Sequence, residues 1–414
     1  MKNDRLTRVS RFVSAEEALK SFAAGRMVVV VDDEERENEG DITIAAEYCT
    51  AETINFMARH GRGLICLSLT EDHADRLRLA PMTHNNTSRM GTAFTESIEA
   101  REGITTGISA ADRARTVQVA IAPETTAGDL ARPGHMFPLR ARNGGVLVRA
   151  GHTEASVDLA RLAGLTPAAV ICEILRDDGG MARVDDLEHF CDEHDLQMVT
   201  VAELIRFRLQ TERNIERVSE AAVPTALGVF RMISYRSVVN GKESHMALVM
   251  GDESSFEELQ EPILVRVHAH CVAGDIFGAI SCGCRASLDF SMQAIAQAGR
   301  GAIVLLHHTQ RSETQDSTPP QPSLHDPAQP RPRSPAAPDS PTLRQIGIGS
   351  QILADLGIRR IRLITKHRPH VPALQGFGIE IAGYQPIVPV IHSRADGRVP
   401  EAFSAQPETA FDHP

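Results

Sequence analysis

The sequence predicts an α/β (α+β) protein with two domains, a mixed-sheet domain over residues 1–212 followed by a smaller α/β domain over residues 213–400. Three observations lead to this prediction. The 414 residues correspond to two or three domains of ordinary size. Helix and strand signals alternate along most of the chain, which is typical of sheets covered by helices. A proline-rich stretch then interrupts the pattern in the second half.

The first domain opens with a helix and a buried strand. Ser14 and Glu17 have the spacing of a capping box, Gly25 should end the helix, and Met27–Val31 is an apolar strand. The later elements of this domain are read in the same way from apolar periodicity and caps. We expect them at Glu52–His60 (helix), Leu64–Leu69 (strand), from Ser109 (helix), Val146–Val148 (strand), Ala155–Leu162 (helix), Ala169–Ile174 (strand) and Thr200–Leu209 (helix).

The second domain is expected to begin near Val218. Its strands are predicted at Ala247–Met250, Ile263–Val267, Ala302–Leu306, Ile361–Ile364 and Ile379–Ile381, and its helices at Ser287–Ala298 and Ile348–Leu356. Between Pro319 and Pro341, nine of 23 residues are proline. Such a segment cannot bury a core, so we expect a disordered insert over 309–342. The polar end, 401–414, should form a loose tail.

Charge and composition exclude several classes of protein. The 43 basic residues against 54 acidic ones give a net charge of −11, which argues against a general nucleic-acid binder. No apolar run approaches the ~20 residues of a membrane span, and the N-terminus lacks the apolar core of a signal peptide. Seven cysteines at irregular spacing do not indicate a disulfide framework. We therefore expect a cytoplasmic protein that binds neither nucleic acid nor membrane.

An acidic run directly follows the first predicted strand. The segment Asp32–Asp41 holds seven carboxylates and the single base Arg36. Such a run is most often a solvated loop. Here it lies at the carboxyl end of a strand, where α/β proteins place ligands, and crowded carboxylates repel one another unless a cation neutralises them. Mg²⁺ prefers oxygen ligands of this kind.

Further candidates lie in four other segments. In RAGHTEA, Arg149 offers a fork for phosphate or a diol, while His152 is either a metal ligand or a structural residue at a helix start. Thr105 and Thr106 precede a helix whose N-terminal amides favour an anion, although an ordinary capped loop is equally consistent. His135 lies between two prolines. Glu173 lies in an apolar strand, where burial raises the pKa of a carboxyl and suits acid/base work.

These segments, together with PMTHNNTSRMGTAFTESIEAREGITTGISAADRA, closely resemble 3,4-dihydroxy-2-butanone 4-phosphate synthase over roughly residues 10 to 210. The resemblance implies conversion of ribulose 5-phosphate to the butanone phosphate and formate in riboflavin biosynthesis, with two Mg²⁺ or Mn²⁺ ions. It also implies a homodimer, because the family's active site uses both subunits.

The resemblance assigns roles residue by residue. Glu37 and His152 should hold metal, and Asp41, His135 and Glu173 should be catalytic. The substrate should be bound by Arg36, Glu37, Asp41, Thr105, Thr106, Arg149, Ala150, Gly151, His152, Thr153 and Glu173. A proton next to a ketone is weakly acidic, and divalent ions stabilise the charge that develops when it leaves. We therefore expect Asp41 and Glu173 to form the principal acid/base pair.

The second domain carries three cysteines with the spacing C-x10-C-x-C: Cys271, Cys282 and Cys284. Three thiolates with an open fourth position are typical of a catalytic zinc site. The segments RVHAHCVAGDIFGAISCGCRASLDFSM, IGIGSQILADLGIRRIRLIT and ALQGFGIEI resemble GTP cyclohydrolase II, a family often fused to the first in bacteria. Zinc binding is therefore expected.

The departures from that second family suggest a degenerate site. His270 stands where the family has glutamate before its first cysteine, and Gly283 and Arg285 replace aspartate and glycine. Thr309 replaces the glutamate that is expected to bind guanine. Thr342 replaces the residue that is expected to accept a proton, and His370 replaces a lysine that would bind phosphate. Arg344 and Thr365 are retained.

Lost polar partners cost a site of this kind on the order of 10⁴-fold in discrimination. We therefore expect little or no GTP turnover. Two alternatives stay open. Either the protein is truly bifunctional and also opens GTP to a diaminopyrimidine phosphate, formate and pyrophosphate, or the second half is a non-catalytic module for dimerisation or regulation.

Overall fold

In the computed structural model, described residues are 11–33, 36–239, 241, 243–252, 256, 261–279, 282–307, 340–366 and 378–387. The expected insert lies outside them except for 340–342, which begin a helix, and so do the expected tail and the positions Thr309 and His370. The first helix is capped as predicted, because Ser14 Oγ accepts a hydrogen bond from the Glu17 amide at 3.3 Å.

The first half of the chain folds around a mixed seven-stranded sheet with the order β4-β5-β3-β6-β2-β1-β7. Its strands are β1 (Val28–Val31), β2 (Gly40–Ala45), β3 (Cys66–Leu69), β4 (Ile98–Ala100), β5 (Leu130–Arg140), β6 (Ala168–Glu173) and β7 (Gln197–Thr200). Its helices are α1 (Ala15–Ala23), α2 (Ala51–Phe56), α3 (Glu71–Arg76), α4 (Ala110–Ile121), α5 (His152–Leu162), α6 (Val184–His194) and α7 (Val201–Thr211). The predicted mixed-sheet class is confirmed.

The second half forms another mixed seven-stranded sheet with the order β14-β13-β11-β12-β10-β9-β8. Its strands are β8 (Ile215–Thr225), β9 (Gly228–Ser237), β10 (Ser244–Met250), β11 (Ile263–Ala269), β12 (Gly301–Leu306), β13 (Arg360–Thr365) and β14 (Glu380–Pro386). Its helices are α8 (Cys284–Ala298) and α9 (Ser340–Asp355). Among the described helices, none is long and apolar enough to cross a membrane.

Two sequence predictions in the first domain require correction. Val146–Val148 is not a strand, because Gly144 and Gly145 take positive φ values of 96° and 60° and open a short 3-10 helix, Gly145–Leu147. The next helix begins at His152 rather than at Ala155, since Gly151 is extended and leaves the following residues free to turn. His152 and Thr153 therefore lie in the first turn of α5.

The two halves share one hydrophobic core. A single cluster contains buried residues of α1, α5 and α7 together with residues of the second sheet and of α9. In this cluster Leu209 of α7 packs against α9, where Gly347 is so close that a β carbon would lie 2.6 Å from Leu209 Cδ1. The two domains are thus joined by packed apolar side chains as well as by the chain itself.

Candidate active site

Strands β1, β2 and β6 bring three carboxylates to one edge of the first sheet. Asp41 and Glu173 are direct partners in the antiparallel pair of β2 and β6. Asp32 follows β1 immediately, and its amide donates a hydrogen bond to Glu39 O at 3.3 Å. The sheet therefore gathers residues that are far apart in the sequence.

Asp32 organises the acidic loop. Its buried carboxylate accepts hydrogen bonds from Arg36 Nη1 at 2.7 Å, from the Glu37 amide at 3.2 Å and from the Glu39 amide at 2.9 Å. Arg36 Nη1 also donates to Glu37 Oε2 at 2.7 Å. Much of the expected repulsion is thus removed by Arg36 and by backbone amides.

Glu37, Asp41 and His152 form a cluster in which Asp41 and His152 are buried and Glu37 is half-buried. Glu37 Oε2 lies 3.5 Å from His152 Nδ1, and Asp41 Oδ1 lies 4.0 Å from His152 Nε2. Partial burial alone would raise the pKa of Glu37, but its hydrogen bond with His152 and the charge of Arg36 lower that pKa to about 2. Glu37 therefore stays ionised at neutral pH.

The other two members of the cluster shift in the opposite direction. Burial raises the pKa of Asp41 to about 7, and the nearby carboxylate of Glu173 adds to the rise. Burial alone would lower the pKa of His152, but Asp41 and Glu37 together raise it to about 9. Asp41 can thus hold or release a proton near neutral pH.

The cluster fits a divalent cation. Asp41 Oδ1 and His152 Nε2 are buried and have no hydrogen-bond partner, which is costly unless a ligand satisfies them. One ligand atom each of Asp32, Glu37 and His152 lie within 4.8 Å of one another. Because the loop engages both oxygens of Asp32 but only Oε2 of Glu37, Glu37 and His152 are the better ligands. Carboxylates with one imidazole suit Mg²⁺ or Mn²⁺.

Glu173 is held at the same edge by the segment before β3. Its Oε2 accepts a hydrogen bond from the Leu64 amide at 2.8 Å. The neighbouring Gly63 is needed for this approach, because a β carbon there would lie 2.6 Å from Glu173 Oε2 and 2.5 Å from Glu173 O. The carboxylate is thus fixed by hydrogen bonding and by close packing.

The segment Arg149–Thr153 is folded around a buried carboxylate. Glu154 Oε2 accepts a hydrogen bond from Arg149 Nη1 at 2.6 Å, and Glu154 Oε1 accepts one from the Arg142 amide at 3.0 Å. Ala150 links Arg149 to Gly151, where a β carbon would lie 2.4 Å from Arg149 Nη1. The Arg149 guanidinium therefore has a fixed position beside the first turn of α5.

The threonine loop forms a separate cluster. Thr105 donates to the carboxylate of Asp112 through its amide at 3.0 Å and its Oγ1 at 2.7 Å, and the Gly107 amide donates to it at 3.0 Å. These donors, expected to face a phosphate, are thus engaged by Asp112, while Thr106 remains exposed. His135 lies nearby, with its Nδ1 2.9 Å from Glu99 Oε2.

This second cluster is distant from Asp41 within one chain. His135 lies on β5, and two strands separate β5 from β2 in the sheet. Three strand spacings of ~4.8 Å amount to roughly 14 Å. Thr105, Thr106 and His135 are therefore brought together with one another, but not with the cluster of Glu37, Asp41 and His152.

The three cysteines of the second domain converge. Cys271 follows β11, Cys284 begins α8, and the three Sγ atoms lie within 4.8 Å of one another. Cys271 Sγ and Cys282 Sγ are 3.9 Å apart, and Gly274 leaves room for them, since a β carbon there would lie 2.5 Å from Cys282 Sγ. The thiol set fits a soft cation such as Zn²⁺.

The other residues predicted for this domain are only partly described. Arg344 is paired with the buried Glu243, with Arg344 Nη2 2.5 Å from Glu243 Oε2. Thr365 ends β13, and the next residue, Lys366, extends to within 3.4 Å of Cys282 O. The side chain of Thr342 lies outside the described residues. No guanine-reading arrangement can therefore be traced among the described residues.

Sequence reasoning missed Asp32 as the loop organiser, as well as Gly63 and Glu154. Asp32 is one carboxylate among seven, and its residue type does not distinguish it from the others. Its position directly after the strand is the available signal, because the strand fixes its backbone. Glu154 belongs to the RAGHTEA segment and lies in the first turn of α5, and a carboxylate among the small and apolar residues that follow Gly151 is the available signal.

The comparisons with known proteins agree with this division into two halves. The 3,4-dihydroxy-2-butanone 4-phosphate synthase family matches residues 16–207, and the GTP cyclohydrolase II family matches residues 216–386. A riboflavin biosynthesis protein RibBA of Aquifex aeolicus is 48% identical over 91% of this chain and 93% of its own length. A RibBA of Salinispora arenicola is 46% identical over 91% and 89%.

One solved structure covers both domains. It is described as RibBX, a two domain 3,4-dihydroxy-2-butanone 4-phosphate synthase from A. baumannii. It has 37% sequence identity and a TM-score of 0.73, and the match covers 91% of this chain and 99% of that chain. The arrangement of two mixed-sheet domains is thus shared with a known protein.

Proposed function

Because the chain belongs to the RibBA family of riboflavin biosynthesis proteins, in which the two matched domains are fused, we propose that its first domain is an active 3,4-dihydroxy-2-butanone 4-phosphate synthase. The substrate would be ribulose 5-phosphate, and the products the four-carbon butanone phosphate and formate. The observation that carries the proposal is the cluster of the half-buried Glu37 with the buried Asp41 and His152, beside Glu173.

Some residues of the site would bind the substrate, and others would transfer protons. Arg149 and the first turn of α5, with His152 and Thr153, would hold the phosphate or hydroxyl end of the sugar. Arg36 and Glu37 would face it from the acidic loop. Asp41, whose pKa burial raises to about 7, and Glu173 would remove and return the proton next to the ketone.

Glu37 and His152 would hold the first of two divalent ions, Mg²⁺ or Mn²⁺. The bound ions would act as Lewis acids that stabilise negative charge developing on the substrate oxygens. The buried Asp41 Oδ1 and His152 Nε2, which have no hydrogen-bond partner among the described residues, support this assignment, since a bound cation would satisfy both atoms.

We include a homodimer in the proposal. The cluster of Thr105, Thr106 and His135 lies too far from Asp41 to share one substrate within a single chain. A second copy that placed its own cluster against the Asp41 site would complete it. A cytoplasmic location agrees with a metabolite substrate.

For the second domain we propose bound zinc and little GTP turnover. The convergence of Cys271, Cys282 and Cys284 supports zinc. The replacement of expected polar residues by Thr309, Thr342 and His370 argues against turnover, and the two-domain A. baumannii neighbour is described as a synthase alone. The bifunctional alternative is supported equally by relatives that are named RibBA and match across both domains.

The test is incubation of the purified full chain with ribulose 5-phosphate while formate is measured. Formate release should need Mg²⁺ or Mn²⁺, stop with a chelator and return when the ion is added back. A protein that releases no formate under any of these conditions would overturn the proposed synthase. GTP in place of the sugar phosphate tests the bifunctional alternative.

A further inference from the structure

Residues of both domains contact the turn at Gly144 and Gly145. Val239 of the second domain lies so close that a β carbon on Gly144 would be 2.6 Å from Val239 Cγ1. Arg208 of α7 donates from Nη1 to Gly144 O at 2.7 Å. Val239 also packs against the shared core. The turn is therefore held from one side by each domain.

Arg208 connects this turn to α5. The Arg208 side chain is buried, and its Nη1 lies 2.8 Å from Asp158 Oδ2. The same oxygen accepts a hydrogen bond from the Val146 amide at 2.9 Å. A buried pair of this kind keeps its geometry only when its remaining hydrogen bonds are satisfied. Here Glu212 accepts from Arg208 Nε and Nη2 at 3.0 and 2.7 Å, and the turn supplies the bonds to Gly144 O and from the Val146 amide.

The turn leads directly to the proposed substrate residues. The Arg149 amide donates to Gly145 O at 3.1 Å, and Glu154 ties Arg149 to the Arg142 amide. Residues 142–149 therefore form one unit whose position depends on Arg208 and Val239. A shift of this unit would move the Arg149 guanidinium and the start of α5.

The second domain also fixes the helix that carries Arg208. On α9, Gln351 Nε2 donates to Leu209 O at 2.6 Å and to Glu212 O at 2.9 Å, and Gln351 Oε1 accepts from the Asn214 amide at 2.8 Å. The end of α7 is thus tied to α9 through its free carbonyls. Arg208 and Val239, the two residues that contact the turn, therefore both depend on the second domain. Val239 belongs to that domain, and Arg208 lies on a helix that α9 holds in place.

We propose that the second domain is a brace for the substrate-binding segment of the first, and that Val239 and Arg208 are the positioning residues through which it acts. The substrate part of this inference rests on the proposed function. It gives the second domain a role in the synthase reaction that does not depend on GTP chemistry. Neither residue needs to touch the substrate.

The test compares matched variants of the full chain. Val239→Ala removes the contact with Gly144, and its control is Val238→Ala at the adjacent, 59% exposed valine. Arg208→Lys keeps the charge but loses the fork, and Arg208→Met loses both. Their control is Arg206→Met on the same helix, where the arginine pairs only locally with Glu203 at 2.6 Å.

Two readouts are needed. For the first, KM and kcat for ribulose 5-phosphate are measured by formate release at saturating Mg²⁺. We expect KM to rise about threefold in Val239→Ala and about tenfold in Arg208→Lys, while Arg208→Met loses on the order of 100-fold in kcat/KM. For the second, amide hydrogen exchange of residues 142–149 should accelerate in the same variants and stay unchanged in the controls.

The outcomes separate the brace from simple destabilisation and from the proposed function. Loss of folded protein alone would lower kcat and leave KM unchanged, which would overturn the brace. Unchanged exchange over residues 142–149 in Val239→Ala and Arg208→Lys would overturn it as well. If the wild-type chain released no formate, the proposed function would fail, and the exchange measurement would decide by itself whether the second domain holds the segment.

Discussion

Asp41 and Glu173 are direct partners on the antiparallel strands β2 and β6, so their side chains lie on the same face at the same edge of the first sheet. Side chains in such pairs have β carbons ~5 Å apart. Two carboxylates at this distance disfavour joint ionisation, and Glu173 adds to the rise in the pKa of Asp41. Asp41 can therefore carry a proton near neutral pH.

The first prediction concerns this pair. Glu173→Gln and Asp41→Asn should each lower the rate of formate release about 10²–10⁴-fold, because the amide can neither accept nor return a proton. The control is Glu102→Gln, an exposed carboxylate in the same domain. Near-normal turnover in Glu173→Gln would show that Glu173 is not an acid/base residue.

The second prediction concerns Gly63, which allows the approach of Glu173. A β carbon there would lie 2.6 Å from Glu173 Oε2, so Gly63→Ala should displace the carboxylate and cost roughly 100-fold in kcat. The matched control is Gly128→Ala, whose β carbon would meet nothing closer than 3.5 Å. If both alanine variants had wild-type kcat, the position of Glu173 would not matter for the reaction.

The sequence predicted the members of this site better than their neighbours. The acidic run and RAGHTEA are local patterns, and their chemistry could be interpreted from residue type and spacing. The pairing of Asp41 with Glu173 depends on the register of β2 and β6, which no local pattern encodes. The same holds for Gly63, whose role appears only once the segment before β3 lies beside β6.

The strand predictions failed where tertiary contacts override local preference. Val146–Val148 is apolar and has two β-branched valines, yet the segment turns because Asp158 accepts a hydrogen bond from the Val146 amide and two glycines precede it. β2 was not predicted, since Gly40 and Asp41 obscure its apolar residues. In the first case the buried carboxylate acts from α5, outside the segment, whereas in the second case it belongs to the strand itself.

The third prediction is that Asp41 makes the metal-free protein sensitive to pH. Its folded pKa is raised from 3.8 to about 7, so the folded state binds the proton more tightly than the unfolded chain. The contribution of Asp41 to stability is therefore present below pH 3.8 and lost as the pH rises through 7. Asp41→Asn should stabilise the chelated protein at pH 8, by up to about 4 kcal/mol, and much less at pH 4.

Denaturant unfolding of both proteins at the two pH values measures this difference. Mg²⁺ should reduce the advantage of Asp41→Asn at pH 8, because a bound cation neutralises the wild-type carboxylate. An advantage of the variant that is the same at pH 4 and pH 8 would contradict the raised pKa. Asp178→Asn, at an exposed carboxylate whose pKa is lowered by the Gly180 amide, is the control.

The last prediction separates metal binding from turnover in the second domain. The purified chain should contain about one zinc ion, and Cys282→Ser should lose it while formate release from ribulose 5-phosphate continues, because three thiolates are the expected ligands. Cys191→Ala, at a buried cysteine of the first domain, should retain the zinc.

With GTP as substrate, release of formate and pyrophosphate should stay near background even in zinc-loaded protein, because Arg344 is engaged by the buried Glu243 and the residues expected to bind guanine are replaced. Zinc-dependent GTP turnover that Cys282→Ser abolishes would instead establish the bifunctional alternative, and Arg344 would then have to leave Glu243 during the reaction.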